Sequence, residues 1–182
     1  MIYLVRHGQT DWNLSRKIQG QLDIPLNETG KNEALICAKQ VGSFEIDAII
    51  SSDLSRAKET ANIINGFLSL PINYDARLRE LNFGTLQGVF SADISEQTWN
   101  AFNRTPQQFN AESKENLYKR VKSFFHDLDA TKNTLVVTHG GFIRMTMYFL
   151  TSPKTFNSIE CEKFFREFKI KNTEIFKFEK PA

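Results

Sequence analysis

Two arginines and two histidines follow apolar segments of the sequence, and together they could bind a phosphate group and attack it. Arg6 and His7 come directly after the apolar residues 2–5, and His139 comes directly after another strand-like run. Arg56 lies a few residues beyond a third such run. Guanidinium groups neutralise phosphate oxygens, and a neutral imidazole nitrogen is a nucleophile that needs no metal. We therefore predict a phosphate-handling catalytic site with a histidine nucleophile.

Each of these residues has an ordinary structural explanation when it is considered alone. An isolated Arg6 would more often be a surface ion-pair partner, and a single His7 or His139 would more often be a structural imidazole. Arg56 is less easily explained, because a cation in the first turn of a helix is disfavoured by the helix dipole unless an anion binds there. Glycines 140–141 would expose backbone amides that suit the close approach of a phosphate. Together these features favour a functional site.

Other kinds of chemistry lack their signatures in this sequence. No Gly-rich loop precedes a Lys-Ser or Lys-Thr pair, so nucleotide hydrolysis by a P-loop is not indicated. No carboxylate or Cys/His cluster has the spacing of a metal site, and we expect neither a metal nor another cofactor. Neither Cys37 nor Cys161 lies at a strand end among phosphate-binding residues, which argues against a cysteine phosphatase. A leaving alkoxide needs a proton, and Glu80 or Asp75 could supply it.

Strand and helix patterns alternate along the chain, which predicts an α/β fold with a mainly parallel sheet. In such sheets ligands bind beyond the carboxyl ends of the parallel strands, so the residues above should converge there. Strands are predicted at residues 2–5, 46–50, 71–74 and 134–138, helices at 28–41, 53–68, 114–128 and directly after 141, and a loop at 11–27.

The rest of the chain completes a single predicted domain, residues 1–182. From about 85 to 113 the periodicity is poor and aromatic residues are scattered, so we predict a lid-like insertion. Residues 164–170 and 174–178 alternate like two antiparallel edge strands. The predicted architecture is a three-layer α/β/α sandwich whose mainly parallel sheet has an antiparallel edge.

Charge and composition limit the partners. The chain has 23 Lys and Arg against 21 Asp and Glu, a formal charge of +2, which is too balanced for nucleic-acid binding by phosphate neutralisation alone. No polybasic segment indicates a membrane surface, and the first apolar run ends at Arg6, far short of a signal peptide or a membrane span. The two separated cysteines predict reduced thiols and a cytoplasmic protein. The expected partner is a small phosphate ester, and no feature specifies an oligomeric state.

Four short motifs give the sequence a resemblance to the histidine phosphatase superfamily, in the branch that contains the cofactor-dependent phosphoglycerate mutases and their phosphatase relatives. They occur in the family's order and span residues 1 to about 150. One triplet alone is weak, whereas four in order are highly specific. The motifs are LVRHGQT at 4–10 with Trp12 and Asn13, SSDLSRA at 51–57, LRE at 78–80 with Phe83, Gly84 and Gly88, and VTHGG at 137–141 with Arg144.

The resemblance implies a role for each residue of the predicted site. His7 would be the nucleophile and become phosphohistidine, which water would then hydrolyse, and Glu80 would be the proton donor. His139 would act beside them in the catalytic site. The residues that resemble the family's phosphoryl-binding groups are Arg6, Asn13, Arg56, His139 and the backbone of Gly140.

The same resemblance allows a phosphatase or a mutase. The segment 84–88 looks mutase-like, whereas residues 81–82 are Leu-Asn where mutases carry an Arg-His pair that would hold the carboxylate of phosphoglycerate. Residues 90–91 are Phe-Ser where mutases carry Asn and Lys, and the chain is short before the last motif. The segment 111–113 with Arg120 resembles one that is typical of the small phosphatases. We therefore favour a metal-independent phosphomonoesterase, with a cofactor-dependent phosphoglycerate mutase as the alternative.

A catalytically silent binder of phosphorylated ligands is a further alternative from a different class. The intact His7, Glu80 and His139 argue against it, because a silent relative would be free to lose them. Aromatic residues in the segment 85–110 suggest that the substrate is an ester of an apolar or ring-bearing alcohol. The family offers the ribazole phosphate of cobalamin synthesis, sugar phosphates and broad-specificity esters as candidates.

Overall fold

The computed structural model describes residues 1–151 and 155–180, and its centre is a five-stranded sheet. The strands are β1 (Ile2–Arg6), β2 (Ala48–Ser51), β3 (Ile72–Tyr74), β4 (Thr134–Thr138) and β5 (Ile175–Phe178). They lie side by side in the order β3-β2-β4-β1-β5. All neighbouring pairs are parallel except β1 and β5, which are antiparallel.

Helices cover both faces of this sheet. In the described part of the chain they are α1 (Asp11–Leu14), α2 (Glu28–Val41), α3 (Ser55–Asn65), α4 (Glu96–Arg104), α5 (Lys114–Asp127), α6 (Gly140–Thr151) and α7 (Ser158–Glu167). The pair α2 and α3 covers one face, and α5, α6 and α7 cover the other. None of these helices is long and apolar enough to cross a lipid bilayer.

The first strand shows why the sheet needs both helical layers. Ile2 and Leu4 pack into the core under α5 and α6, whereas Tyr3 and Val5 pack into the core under α2 and α3. All four side chains are buried, so the run is apolar without alternation, as expected for a strand buried on both faces. The predicted three-layer sandwich, with its mainly parallel sheet and antiparallel edge, is confirmed.

One predicted edge strand is wrong. Residues 164–170 were predicted to form a strand, but most of this segment belongs to helix α7 or follows its end. Asn157 caps the helix, since its side chain accepts hydrogen bonds from the amides of Ile159 and Glu160. The second predicted edge strand, at 174–178, is confirmed as β5.

The predicted loop at 11–27 contains the single-turn helix α1. Thr10 caps it, because its hydroxyl oxygen accepts a hydrogen bond from the Asn13 amide at 3.1 Å. The Asn13 side chain returns the bond by accepting from the Thr10 amide, also at 3.1 Å. This reciprocal cap fixes the position of Asn13 beside the end of β1.

The segment predicted as a lid-like insertion contains α4 and three short 3₁₀ turns, at Gly84–Leu86, Ser91–Asp93 and Pro106–Phe109. Its aromatic side chains pack on one another around the buried Phe102. The Phe102 ring centroid lies 5.5 Å from that of Phe83, 5.7 Å from that of Trp99 and 5.7 Å from that of Phe109. Because these rings join the core under α5 and α6, much of the aromatic content holds the segment in place.

Three parallel strands end at the same level at one edge of the sheet. Arg6 pairs in register with Thr138, and Ser51 pairs with Val137. The backbone continues this row, since the His7 amide donates to Thr138 O and the Ser52 amide donates to Val137 O, both at 2.9 Å. The strand ends therefore bring the segments that carry His7, Ser52 and His139 together, as the sequence predicted.

Candidate active site

His7 is held as a neutral imidazole with one nitrogen free to react. Its ring nitrogen Nδ1 lies 2.7 Å from Gly8 O. Because a carbonyl oxygen can only accept, Nδ1 carries the hydrogen and the lone pair is on Nε2. Burial, followed by the positive charges of Arg56 and Arg6, lowers the pKa of His7 well below its usual range. Nε2 is therefore unprotonated at neutral pH, as a nucleophile must be.

The turn after His7 depends on a close approach of two glycines. A Cβ atom on Gly8 would lie 2.3 Å from Gly30 O, in the first turn of α2. The Gly8 amide donates to the hydroxyl of Thr60 in α3 at 3.0 Å. Helices α2 and α3 therefore hold the backbone that orients the His7 ring.

His139 is fully buried beside His7, with 5.1 Å between the ring centroids. Its Nε2 lies 2.8 Å from Ser52 Oγ, and its Nδ1 is buried without a hydrogen-bond partner among the described residues. Burial, followed by the charge of Arg56, lowers the pKa of His139 well below its usual range. A hydroxyl can donate or accept, so this contact fits either tautomer. In the tautomer that accepts from Ser52 at Nε2, Nδ1 carries the hydrogen and can donate to an anion.

Arg6 and Arg56 are each fixed by backbone carbonyls. Arg56 is 0% exposed and donates to Leu22 O at 2.8 Å and to Gly20 O at 2.7 Å. Arg6 donates to Ile170 O at 2.9 Å. Burial lowers the pKa of Arg56 to about 10 and also lowers that of Arg6, but Arg56 keeps its charge at neutral pH. Two desolvated cations that line the same small pocket favour the binding of an anion between them.

Unpaired buried polar atoms are concentrated at this site. Five buried side-chain nitrogen or oxygen atoms of the described residues lack a hydrogen-bond partner: Arg6 Nε, Arg56 Nε, His139 Nδ1, Gln19 Oε1 and Ser55 Oγ. Buried polar groups nearly always have partners, so three unpaired nitrogens at one site favour the binding of a ligand there. An oxyanion such as phosphate can accept from all three.

Asn13 offers a further donor. Its Oδ1 accepts from the amide and hydroxyl of Thr10, both at 3.1 Å, and from Asn172 Nδ2 at 3.4 Å. These bonds use the side-chain oxygen of Asn13, so its side-chain nitrogen Nδ2 can donate to a ligand. Asn172 also donates to His7 O at 2.9 Å, which ties the carboxyl-terminal part of the chain to the nucleophile.

Glu80 and Gly141 are in direct contact. Glu80 Oε1 accepts from the amides of Leu81 and Gly141, both at 2.8 Å, and Oε2 lies 3.1 Å from the Gly141 nitrogen. The carboxylate thus occupies the amino end of α6, where the helix dipole favours a negative group. The expectation that the amides of residues 140–141 together bind phosphate is therefore wrong for Gly141, whose amide is taken by Glu80.

Of the two proton donors considered from the sequence, only Glu80 lies at the site. It lines the pocket that contains His7. Asp75 instead caps a 3₁₀ turn by accepting from the Arg77 amide at 2.8 Å, and it forms an ion pair with the Arg77 guanidinium, also at 2.8 Å. The third histidine, His126, is exposed and lies beside Asp127, consistent with a surface position.

Two connected cavities lie at this sheet edge. A small pocket of about 130 Å³ contains His7, Arg56 and Glu80, which is roughly the volume of four water molecules and suits an oxyanion. A larger cleft of about 1420 Å³ lies beside it. The residues that line both cavities are Arg6, Asn13, Lys17, Ile18 and Phe83.

The structure thus brings together all the residues predicted for the site: Arg6, His7, Asn13, Arg56, Glu80, His139 and Gly140. Sequence reasoning missed Gln19 and Asn172. Gln19 is buried in the pocket wall, but it comes from a loop with no periodic signal. Asn172 reaches the site from beyond α7, and nothing in its local sequence marks it. Within residues 1–151 and 155–180 there is no group of three or more His, Cys, Asp or Glu that could hold a metal ion.

Comparison with known proteins agrees with this geometry. The family model of the histidine phosphatase superfamily (branch 1) matches residues 2–179. The uncharacterised phosphatase PhoE of Bacillus subtilis is 39% identical over 147 residues, which cover 78% of this chain and 72% of PhoE. The probable phosphoglycerate mutase GpmB of Escherichia coli O1:K1 is 38% identical over 151 residues, covering 76% of this chain and 69% of GpmB.

A solved structure supports the same assignment. Phosphoserine phosphatase from Entamoeba histolytica, in complex with 3-phosphoglyceric acid, superposes with a TM-score of 0.79 at 28% identity. The match covers 96% of this chain and 87% of that one. The resemblance seen in the four motifs is confirmed, and the chain is an enzyme that belongs to the histidine phosphatase superfamily, branch 1.

Proposed function

We propose that the protein hydrolyses small phosphate monoesters without a metal, through a phosphohistidine at His7. The observation that carries this proposal is the state of the His7 ring. Its Nδ1 donates to Gly8 O, its pKa is lowered, and it shares a small pocket with Arg6 and Arg56. A neutral nucleophile beside two fixed cations is what an attack on a phosphate dianion requires.

In the first half-reaction, the lone pair of His7 Nε2 attacks phosphorus and the P–O bond to the alcohol breaks. Arg6 and Arg56 neutralise the equatorial oxygens, where charge accumulates, and His139 Nδ1 donates a hydrogen bond to them. This step requires that Glu80 carry a proton, which it gives to the leaving alkoxide. The products are the free alcohol and phosphohistidine.

In the second half-reaction, water replaces the alcohol. Glu80, now a carboxylate, accepts a proton from water as the oxygen attacks phosphorus, and the P–N bond to His7 breaks. Inorganic phosphate leaves, the His7 ring returns to its neutral state, and Glu80 is protonated again. The acid of one step therefore serves as the base of the other.

Turnover of 4-nitrophenyl phosphate in the presence of a chelator tests this proposal. We expect hydrolysis by the unchanged protein and none above background by His7→Ala. The His126→Ala variant is a matched control, because His126 is exposed and outside the pocket. Hydrolysis that survives in His7→Ala would exclude His7 as the nucleophile.

Trapping the intermediate is an independent test. Brief exposure to a ³²P-labelled ester, followed by denaturation, should leave label on the protein that is stable in base and lost in acid. His7→Ala should carry none. Label that is stable in acid would indicate a phosphate ester instead and would contradict the mechanism.

Phosphoglycerate mutase activity remains the second candidate, and the identity with GpmB favours it. It requires that the phosphoryl group return to a bound phosphoglycerate before water attacks. At the two positions where mutases carry an Arg-His pair, this chain has no cation. Leu81 is buried there, and the Asn82 side chain accepts a hydrogen bond from the Gly84 amide. Incubation of 3-phosphoglycerate with a bisphosphate primer should yield inorganic phosphate faster than 2-phosphoglycerate, and the reverse order would establish the mutase.

We also propose that residues 1–182 form a single domain in which residues 85–113 are a lid-like insertion. Several of its side chains line the larger cleft, among them Trp99, Phe102 and Asn103. We assign to this segment the selection of the alcohol part of the substrate.

A further inference from the structure

The larger cleft is an extension of the phosphate pocket. Arg6 and Asn13 line both cavities, and Phe83 lies on the wall that the two share. An ester whose phosphorus lies against His7 must therefore place its alcohol part in this cleft. The chemistry of the cleft walls then describes the alcohol.

The cleft is rich in cations. Beyond Arg6, it is lined by Arg16, Lys17, Lys114, Arg144, Arg166 and Lys169, against only Glu96 and Glu162. In the described residues none of these six cations has a carboxylate partner within 4.0 Å, whereas Arg77, Arg79 and Arg120 outside the cleft all form ion pairs. The whole chain has a formal charge of only +2. This local excess of unpaired charge is suited to an anion.

Lys114 differs from the other cations in lying at the amino end of a helix. It is half-buried at the first position of α5, where the helix dipole disfavours a positive charge. Its Nζ donates to Asn103 Oδ1 at 2.9 Å and lies 5.5 Å from the centroid of the Phe165 ring. Burial lowers the pKa of Lys114, the carboxylate of Glu162 opposes this shift, and the charge of Arg166 adds to it. A bound anion would offset the unfavourable helix dipole, the burial of the ammonium group and the repulsion from Arg166.

The second anion cannot be the scissile phosphate itself. The small pocket that holds His7 and Arg56 does not include Lys114, Arg166 or Lys169. Phe83, Trp99 and Phe102 also line the larger cleft, so part of its wall is apolar and aromatic. A ligand that contacts both sets of cations needs an anionic group at each end and an organic linker between them.

We propose that the substrate is a phosphate monoester whose alcohol carries a second anionic group, a carboxylate or a phosphate, and that Lys114, assisted by Arg166, binds this group. The inference rests on the proposed function, because it assigns the cleft to the leaving alcohol. It adds a specificity site formed by the amino end of α5 and by α7.

Binding of phosphonates tests the inference without any turnover. The probes are a linear alkylphosphonate, the ω-carboxyalkylphosphonate and the α,ω-bisphosphonate of the same length, in two or three chain lengths. We expect at least one anionic tail to lower Kd by about 10- to 100-fold relative to the neutral tail, as a hydrogen bond to a charged group would. The preferred tail distinguishes a carboxylate from a phosphate. Equal binding of all tails would overturn the inference.

Variants on one helix provide the matched comparison. Lys114→Met should remove most of the gain given by the anionic tail and leave the neutral alkylphosphonate within about threefold. Lys119→Met should change neither, because Lys119 is exposed, pairs with Glu115 and lies outside the cleft. An anionic-tail gain that is unchanged in Lys114→Met would exclude Lys114 as the ligand.

A second variant keeps the test decisive if Lys114→Met does not fold. Arg166 is exposed and its side chain makes no hydrogen bond or ion pair within the described residues, so Arg166→Met should fold normally. We expect it to reduce the anionic-tail gain several-fold, and no reduction would contradict its role. If phosphonates bind as expected but no ester is hydrolysed, the proposed function fails and the second anion site stands.

Discussion

Arg120 and Glu112 form a bidentate ion pair that holds the backbone on both sides of Glu80. Arg120 Nε lies 3.0 Å from Glu112 Oε1, and Arg120 Nη2 lies 2.7 Å from Oε2. The same guanidinium donates to Arg77 O and Arg79 O, both at 2.6 Å. Glu112 Oε2 in turn accepts a hydrogen bond from the Asn82 amide at 3.3 Å. The segment that carries Glu80 has little regular secondary structure, so the Arg120–Glu112 pair fixes its backbone instead.

Replacing Arg120 with Lys should impair the step that depends on Glu80. An ammonium keeps the charge but cannot bind two carboxylate oxygens and two carbonyls at once. We expect kcat for an alkyl phosphate, whose alkoxide needs a proton, to fall by about 10- to 100-fold. For 4-nitrophenyl phosphate, whose leaving group needs little protonation, the loss should be much smaller. An equal loss for both substrates would show that Arg120 acts on overall stability instead.

Replacing Gly141 with Ala should displace the Glu80 carboxylate directly. A Cβ atom at Gly141 would lie 2.1 Å from Glu80 Oε1 and 3.1 Å from its Cδ, so the side chain must move. Alanine is a better helix former than glycine by up to about 1 kcal/mol, so thermal stability should be retained. We expect alkyl phosphate turnover to approach that of Glu80→Gln. Steady-state kinetics alongside thermal melts checks this prediction. Full activity in Gly141→Ala would show that Glu80 is not the proton donor.

The strand-end rule explains why much of the site could be predicted from sequence. His7, Arg56 and His139 each follow a parallel strand closely, and parallel strands end at a common edge. Glu80 follows no long strand. The residues alone left it as one of two candidates with Asp75, and the family motif favoured it. Asn172 and Lys114 reach the site through tertiary packing of distant segments, which local periodicity does not encode.

The error at residues 164–170 has a physical origin in the sequence pattern. Phe164, Phe168 and Ile170 fit a two-residue alternation, which predicted a strand. Cys161, Phe164, Phe165 and Phe168 also fit a helical face, and it is this face that packs on the core. For a short apolar run both periods fit, and tertiary contacts decide between them.

Stability should fall as the pH drops below 6.5, because His7 and His139 are buried in the neutral form. Their folded-state pKa values lie well below the ordinary value of 6.5, so the unfolded chain takes up protons that the folded chain refuses. Between 6.5 and the folded pKa, each histidine removes up to about 1.4 kcal/mol of unfolding free energy per pH unit. Urea unfolding at several pH values between 7 and 5 measures this slope.

Single variants attribute that slope to its source. His139→Asn should reduce the slope between pH 6.5 and 5 by about half, whatever its effect on absolute stability. His126→Asn is the surface control, because that side chain is 85% exposed. A flat profile in the unchanged protein would mean that both buried rings take up protons in the folded state.

Vanadate or inorganic phosphate should stabilise the folded protein through Arg6, Arg56 and His139. At a concentration of 100 times its Kd an anion adds about 2.7 kcal/mol, which for a chain of this size raises Tm by about 5–10 °C. Arg56→Lys should lose at least half of that rise, because an ammonium cannot keep the carbonyl contacts to Gly20 and Leu22 and also offer a donor to the anion. Arg79→Lys is the matched control, since Arg79 pairs with Asp53 and lines neither cavity. A Tm rise of equal size in both variants would place the bound anion away from Arg56.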